Sequence, residues 1–169
     1  MKLVRILAVI VAMAPWLSPV AAQGTQVPFG GLQIDSEQPV EIAADQLSID
    51  QSNGNAVFEG SVKIGQGKMR LSADKVLVEY ERRDSGGATG EISRLIATGN
   101  VILVNGPEVA QADAAEYLLA ASKVIMTGSV VLTQGQNALS AERMVVDLAT
   151  GNANLEGRVR TILQTGTEN

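Results

Sequence analysis

The sequence predicts an all-β domain, an array of short strands and tight turns repeated along the chain, and three observations carry that prediction. A glycine followed two residues later by valine recurs at Gly60-Ser61-Val62, Gly99-Asn100-Val101, Gly128-Ser129-Val130 and Gly157-Arg158-Val159. An alanine-acid pair closes fourteen residues after each of the first three glycines, at Ala73-Asp74, Ala112-Asp113 and Ala141-Glu142, and Ala44-Asp45 heads the series. The local texture is that of strands: "SVKI", "NVIL" and "SVVL" are β-branched or aliphatic runs, and Asn53-Gly54, Asn105-Gly106 and Gly151-Asn152 are turn dipeptides.

From each acid to the next glycine the spacing is 15, 25, 15 and 15 residues, so the repeat is about 29 residues long and one copy carries ten extra. A fixed period of this size marks one supersecondary unit used several times. A second glycine falls seven residues after each of the first three, at Gly67, Gly106 and Gly135. Each unit therefore holds two strands and two turns.

In chain order, "MKLVRILAVIVAMAPWLSPVAAQG" has a basic start at Lys2 and Arg5, an apolar run from Ile6 to Ala14 and small residues at Val20-Ala21-Ala22. This reads as a secretory signal over residues 1–22, cleaved after Ala22; Pro15 and Pro19 interrupt the run, and a spanning helix needs about 20 apolar residues. Residues 23–38, "GTQVPFGGLQIDSEQPV" with Gln23 before it and its last two residues just beyond, read as an exposed leader. The strand array occupies residues 39–163 as one domain, with the ten-residue excess falling between Tyr80 and Arg94 in the polar, glycine-rich "RRDSGGATG", which reads as a loop. Residues 164–169 form a polar tail.

In "MRLSADKVLVEY" the apolar positions change face. Met69, Leu71 and Ala73 share one parity and Val76, Val78 and Tyr80 the other, which predicts a bulge or bend at Ala73-Asp74, recurring wherever the alanine-acid pair recurs.

Composition excludes several function classes. Without its signal the chain has 11 basic and 18 acidic residues, a net charge of −7, which is a poor match to nucleic acid. Cysteine and histidine are both absent, so there is no disulfide framework, no thiol nucleophile and no Ser-His or Cys-His pair. "GQGK" at residues 65–68 lacks the spacing of a nucleotide-binding loop. No calcium loop occurs, and no cofactor or metal is expected. Paired carboxylates, with Asp74 and Asp113 the test case, keep a polysaccharide-active enzyme open, but Phe29, Phe58, Tyr80 and Tyr117 are few aromatics for a sugar platform. Lys63, Lys68, Arg70, Arg82, Arg83, Arg158 and Arg160 are candidates for contacts with anionic groups at a rim.

What remains is the aliphatic set Ile42, Leu47, Ile49, Val57, Val62, Ile64, Leu71, Ile96, Val101, Leu103, Ile125, Val130, Leu132, Val146 and Leu155. These residues either fill an ordinary core of a structural or adhesive repeat protein, or line a slot whose smooth walls suit acyl chains, where each buried methylene is worth about 0.8 kcal/mol.

The signal, "QPVEIAADQLSID" at 38–50, "NAVFEGSVKIGQGKMRLSADKVLVEY" at 55–80, "ATGNVIL" and "MTGSVVLTQGQNALSAERMVVD" together resemble the LptA/OstA-like family of periplasmic lipopolysaccharide-transport proteins. The resemblance covers about residues 38–160. It implies an open, twisted antiparallel β-jellyroll whose interior holds the acyl chains of lipid A. It also implies a non-enzymatic role in the periplasm as a carrier between inner-membrane and outer-membrane transport components, with head-to-tail self-association, in which unpaired edge strands continue the groove from copy to copy. The insertion at 81–93 and the long leader depart from the family pattern.

Overall fold

In the computed structural model the described residues are 25–28, 38–50, 52, 54–82 and 88–163. The expected signal with its expected cleavage after Ala22, the expected tail at 164–169 and most of the expected leader lie outside them. The strands are β1 (Thr25–Pro28), β2 (Glu41–Ala43), β3 (Gln46–Ile49), β4 (Ala56–Gln66), β5 (Met69–Arg82), β6 (Ala88–Asn105), β7 (Glu108–Leu118), β8 (Lys123–Gln134), β9 (Asn137–Asp147), β10 (Asn152–Glu156) and β11 (Arg160–Ile162). They form a single sheet in the order β1-β10-β9-β8-β7-β6-β5-β4-β2, with β3 also on β4 and β11 also on β9. Every pairing is antiparallel.

The repeat found in the sequence is the unit of this sheet. Gln66 pairs with Met69, Asn105 with Glu108 and Gln134 with Asn137, so Gly67-Lys68, Gly106-Pro107 and Gly135-Gln136 are two-residue hairpin loops. The first residue of each loop has a positive φ, the signature of a type II′ turn, which matches the twist of the flanking strands. At the opposite ends of the strands Asp50 and Asp147 organise the β3–β4 and β9–β10 connections by accepting hydrogen bonds from Ser52 and from the backbone of Ala149 and Thr150. Those bonds to Thr150 and Ala149 hold the Asp147 carboxyl below its usual range.

The second glycine series bends the sheet. Between Glu59↔Lys75 and Val62↔Ala73, β4 takes three steps to two on β5, and β6 against β7 and β8 against β9 repeat the mismatch. The extra residue falls at Gly60-Ser61, Gly99-Asn100 and Gly128-Ser129, where both residues of each pair have positive φ; Gly157-Arg158 adopts the same conformation between β10 and β11. Each of these glycines lies against the acid fifteen or, for Gly99, twenty-five residues before it: Asp45, Asp74, Asp113 and Glu142. A Cβ on Gly99 would stand 2.5 Å from Asp74 Oδ2, so only glycine fits there. The bulge therefore belongs to the glycine strand. The acid strand, where a bulge or bend is expected, bends and switches face without an extra residue, and its carboxylate packs over the neighbouring bulge.

This row of bulges crosses the whole sheet and divides it in two. One half-sheet holds β2, β11 and the parts of β4 to β9 next to the type II′ hairpins; the other holds β1, β3, β10 and the remaining parts. The two halves fold towards each other. Ile64, Met69 and Leu71 of the first meet Leu95, Ala97, Ala115, Tyr117 and Val124 of the second around a void of about 10 Å³, no larger than one water. The result is an open antiparallel β-jellyroll whose core lies between the halves.

Two segments differ from the sequence reading. Thr25–Pro28, assigned to an exposed leader, is strand β1 and pairs with β10 from Thr25↔Leu155 to Pro28↔Asn152. The region read as a polar loop after Tyr80 lengthens a hairpin instead: β5 has 14 residues and β6 has 18, and β6 already begins at Ala88. Residues 83–87 of that region lie outside the described residues. The last bond from the β7 side is Leu119 N–H to the Ser93 carbonyl, so the segment of β6 before Ser93 pairs only with β5 and projects past the rest of the sheet.

Candidate functional site

The inner face is built row by row. Across the second half-sheet Ile49, Ala56, Val78, Leu95, Tyr117, Val124, Val146, Ala153 and Val27 stand opposite one another, strand to strand from edge to edge. The next row runs through Leu47, Phe58, Val76, Ala97, Ala115, Met126, Met144 and Leu155. In the first half-sheet Ile42, Ile64, Leu71, Leu103, Ala110, Leu132 and Leu139 make the equivalent row. Away from the edges these side chains are buried, Phe58 partly so. The wall is aliphatic because the repeat places apolar residues two and four positions before and after each bulge glycine.

Of the fifteen residues expected in the interior, twelve lie on these inner rows or beside them: Ile42, Leu47, Ile49, Val62, Ile64, Leu71, Val101, Leu103, Val130, Leu132, Val146 and Leu155. Val57, Ile96 and Ile125 do not. Each sits three residues before a bulge glycine, directly between two inward positions, and faces outward half-buried. Period-2 counting back from Val62, Val101 and Val130 reaches them on an odd step, which was the available signal. Phe58, Met69, Val76, Val78, Leu95, Tyr117, Met126 and Met144 are inward-facing residues the sequence reading missed.

The wall is uncovered at one end. On edge strand β3, Leu47 is 53% exposed and Ile49 63% exposed, although their row neighbours Phe58 and Ala56 are packed in. At the same end an open cleft of about 570 Å³ lies beside β2, lined by Ile42, Ile64, Gln66, Lys63 and Arg70 among others. At the far end β11 is exposed along its length, and Ile162 and Leu163 are open to solvent.

Polar groups are sparse inside. The Tyr117 hydroxyl donates to Gln66 Oε1 at 2.8 Å, tying the two half-sheets together across the core. Burial raises the Tyr117 phenol above the usual tyrosine value, and the bond to Gln66 opposes that shift. A group raised in the folded state adds stability that is complete below the unfolded tyrosine's pKa and is lost as pH climbs through the folded value. Tyr117→Phe leaves the Gln66 oxygen buried without its donor, so a loss of about 1–3 kcal/mol is expected in chemical denaturation at neutral pH. The variant is also expected to lose less stability than the parent as pH rises from about 9 to 11.

The candidate cations do not converge. Arg70 Nη1 is held by the carbonyls of Gly67 and Met69 at 2.6 and 2.7 Å, and Arg158 pairs with Glu142 at 3.4 Å. Lys63, Lys68 and Arg160 are exposed, and the Arg82 side chain and Arg83 lie outside the described residues. The carboxylates Asp74 and Asp113 each engage their own glycine rather than a shared cleft. On the outer face Arg94 bridges Glu79 and Glu116, whose hydrogen bonds hold its guanidinium above the usual arginine value. Lys75–Glu59 and Arg143–Glu156 complete a cross-strand layer that adds little stability at such exposure.

An open antiparallel jellyroll with a continuous aliphatic inner wall and exposed edge strands defines the class of protein. The family model for LptA and the N-terminal domain of LptD, LPS transport proteins, matches residues 41–152, and the chain belongs to this family. It is 33% identical over 60 residues to the lipopolysaccharide export system protein LptA of Escherichia coli K12, an alignment covering 36% of this chain and 32% of LptA. An uncharacterized protein of Rhizobium meliloti is 31% identical over 99 residues, 57% of this chain and 53% of that protein. The alignments thus span about half or less of these relatives' lengths. The crystal structure of LptH, the LptA-homologous periplasmic component of the lipopolysaccharide transport device of Pseudomonas aeruginosa, superposes with a TM-score of 0.65 at 20% identity, covering 77% of this chain and 98% of LptH, and shares its fold.

Proposed function

We propose that this protein is a periplasmic lipopolysaccharide carrier that holds acyl chains between its two half-sheets and passes them from inner-membrane to outer-membrane transport components. The observation that carries the reading is the aliphatic inner wall, continuous from edge to edge and uncovered at Leu47 and Ile49, in a chain of this family. Between the halves the side chains now fill the space, so a chain entering from the β3 edge must part them, exchanging contacts between inner rows for contacts with alkyl groups of similar apolarity. The row of bulges supplies the line about which the halves part, and no covalent chemistry is needed.

Self-association follows from the edges. The β2–β3 edge of one copy meets the opposite edge of the next, β11 in one half-sheet and β1 in the other, and the groove continues through the contact. Such a heterologous contact extends into a filament rather than closing a ring. Here β1 supplies the final strand beside β10, so the docking surface in that half is contributed by the N-terminal segment.

The test is to incubate the exported protein with purified lipopolysaccharide and follow size exclusion with mass spectrometry of the protein peak. Lipid co-eluting with folded protein is the expected result. Protein free of lipid at every concentration, with its β-sheet spectrum intact, selects the structural or adhesive repeat protein instead.

A further inference from the structure

We propose that Asn105 and Glu108 form a polar subsite on the inner wall that takes a hydroxyl group carried on an acyl chain; the proposal rests on the reading of that wall as an acyl-chain groove. Six residues after each of the first three bulge glycines the inner face carries an amide: Gln66, Asn105 and Gln134. The two glutamines are engaged. Gln66 donates to the Gln38 carbonyl at 2.9 Å and accepts from Tyr117, while Gln134 donates to Glu108 Oε1 at 2.9 Å and to the Pro28 carbonyl. Asn105 is one methylene shorter, and its Nδ2 reaches no such partner among the described residues.

Asn105 is 4% exposed, and its Nδ2 has no hydrogen-bond partner among the described residues. Glu108, its cross-strand neighbour, is 9% exposed, and its Oε2 likewise has none. A free donor and a free acceptor thus stand on paired positions, with Leu103 and Ala110 as the next inward residues along their strands and Leu132 opposite Ala110. Leaving both unmade disfavours the empty site. One hydroxyl answers both: its O–H donates to Glu108 Oε2 and its oxygen accepts from Asn105 Nδ2. A plain methylene offers neither, and the Glu108 carboxylate disfavours an anionic group in the same place.

The experiment compares 3-hydroxytetradecanoate with tetradecanoate, equal in chain length and head group, by displacement of a fluorescent fatty acid from the whole exported protein. The native protein is expected to bind the hydroxylated chain about tenfold more tightly. Asn105→Leu and Glu108→Gln are each expected to reduce that preference to within about twofold while leaving tetradecanoate affinity unchanged. Asn105→Leu replaces an unpartnered amide with an apolar group of similar size, and thermal unfolding of both variants checks that the fold is retained. Equal affinity of the native protein for the two chains, or a preference that survives both substitutions, overturns the subsite and leaves the groove standing. Failure of the native protein to bind either chain overturns the groove and the subsite together.

Discussion

Gly99→Val is expected to destabilise the protein by about 3 kcal/mol or more, the combined result of a left-handed backbone that costs a side-chain-bearing residue about 1–2 kcal/mol and a steric collision. Gly99 has φ of 77° and Asn100 follows with φ of 47°, so the bulge is a two-residue left-handed turn inside a strand. A β-branched residue is least tolerant of that conformation. The new Cβ would also press on Asp74, whose Oδ2 accepts from Asn100 Nδ2 at 2.8 Å and so cannot swing away without breaking that bond. Denaturant unfolding of Gly99→Val, Asp74→Ala and the double variant separates the two causes: removing the Asp74 side chain is expected to restore the collision part and leave the backbone part. A loss below about 0.5 kcal/mol for Gly99→Val would contradict the assignment of the glycine series to bulges.

Val130→Asp is expected to abolish the fold or lower its melting temperature by more than about 10 °C, whereas Val131→Asp one residue later is expected to leave it within about 2 °C. Val130 is 0% exposed and faces the inner rows, and Val131 is 38% exposed on the outer face. A carboxylate placed on the inner rows is taken out of water among apolar side chains, and burying one unpaired costs several kcal/mol against a total stability of about 5–15. Circular dichroism during heating reads both. Equal sensitivity at the two positions would mean that the strand register, and with it the identity of the inner wall, is wrong. Because Val101 and Val130 are fully buried, a charge at either attacks the fold before it can report on a ligand.

Much of this architecture was legible in the residues. The type II′ hairpins follow from Gly67, Gly106 and Gly135, and the bend from the glycine and acid series, because both depend on backbone conformations that few residue types tolerate. Which strand carries the extra residue was not legible: the face switch shows in the acid strand of "MRLSADKVLVEY", but its cause is the left-handed pair in the neighbouring strand. Val57, Ile96 and Ile125 were misplaced because outward positions of the repeat are aliphatic too, so hydrophobicity without parity cannot separate the faces. Strand β1 was hidden for another reason. "TQVP" is short and gains its ladder only from Asn152 to Leu155, a pairing about 127 residues away that no local pattern announces. The polar inner row went unseen because each amide stands alone in its own strand and only the register lines the three up.

The most direct test of the central claim is site-specific photo-crosslinking to lipopolysaccharide, with the photoreactive residue placed in turn at Ile49 and at Val131. Both positions are exposed, so neither substitution burdens the core, but Ile49 ends an inner row and Val131 lies outside. The account predicts a lipopolysaccharide adduct at Ile49 and none at Val131; a folded protein that captures lipid at Val131 as readily as at Ile49, or at neither, contradicts it.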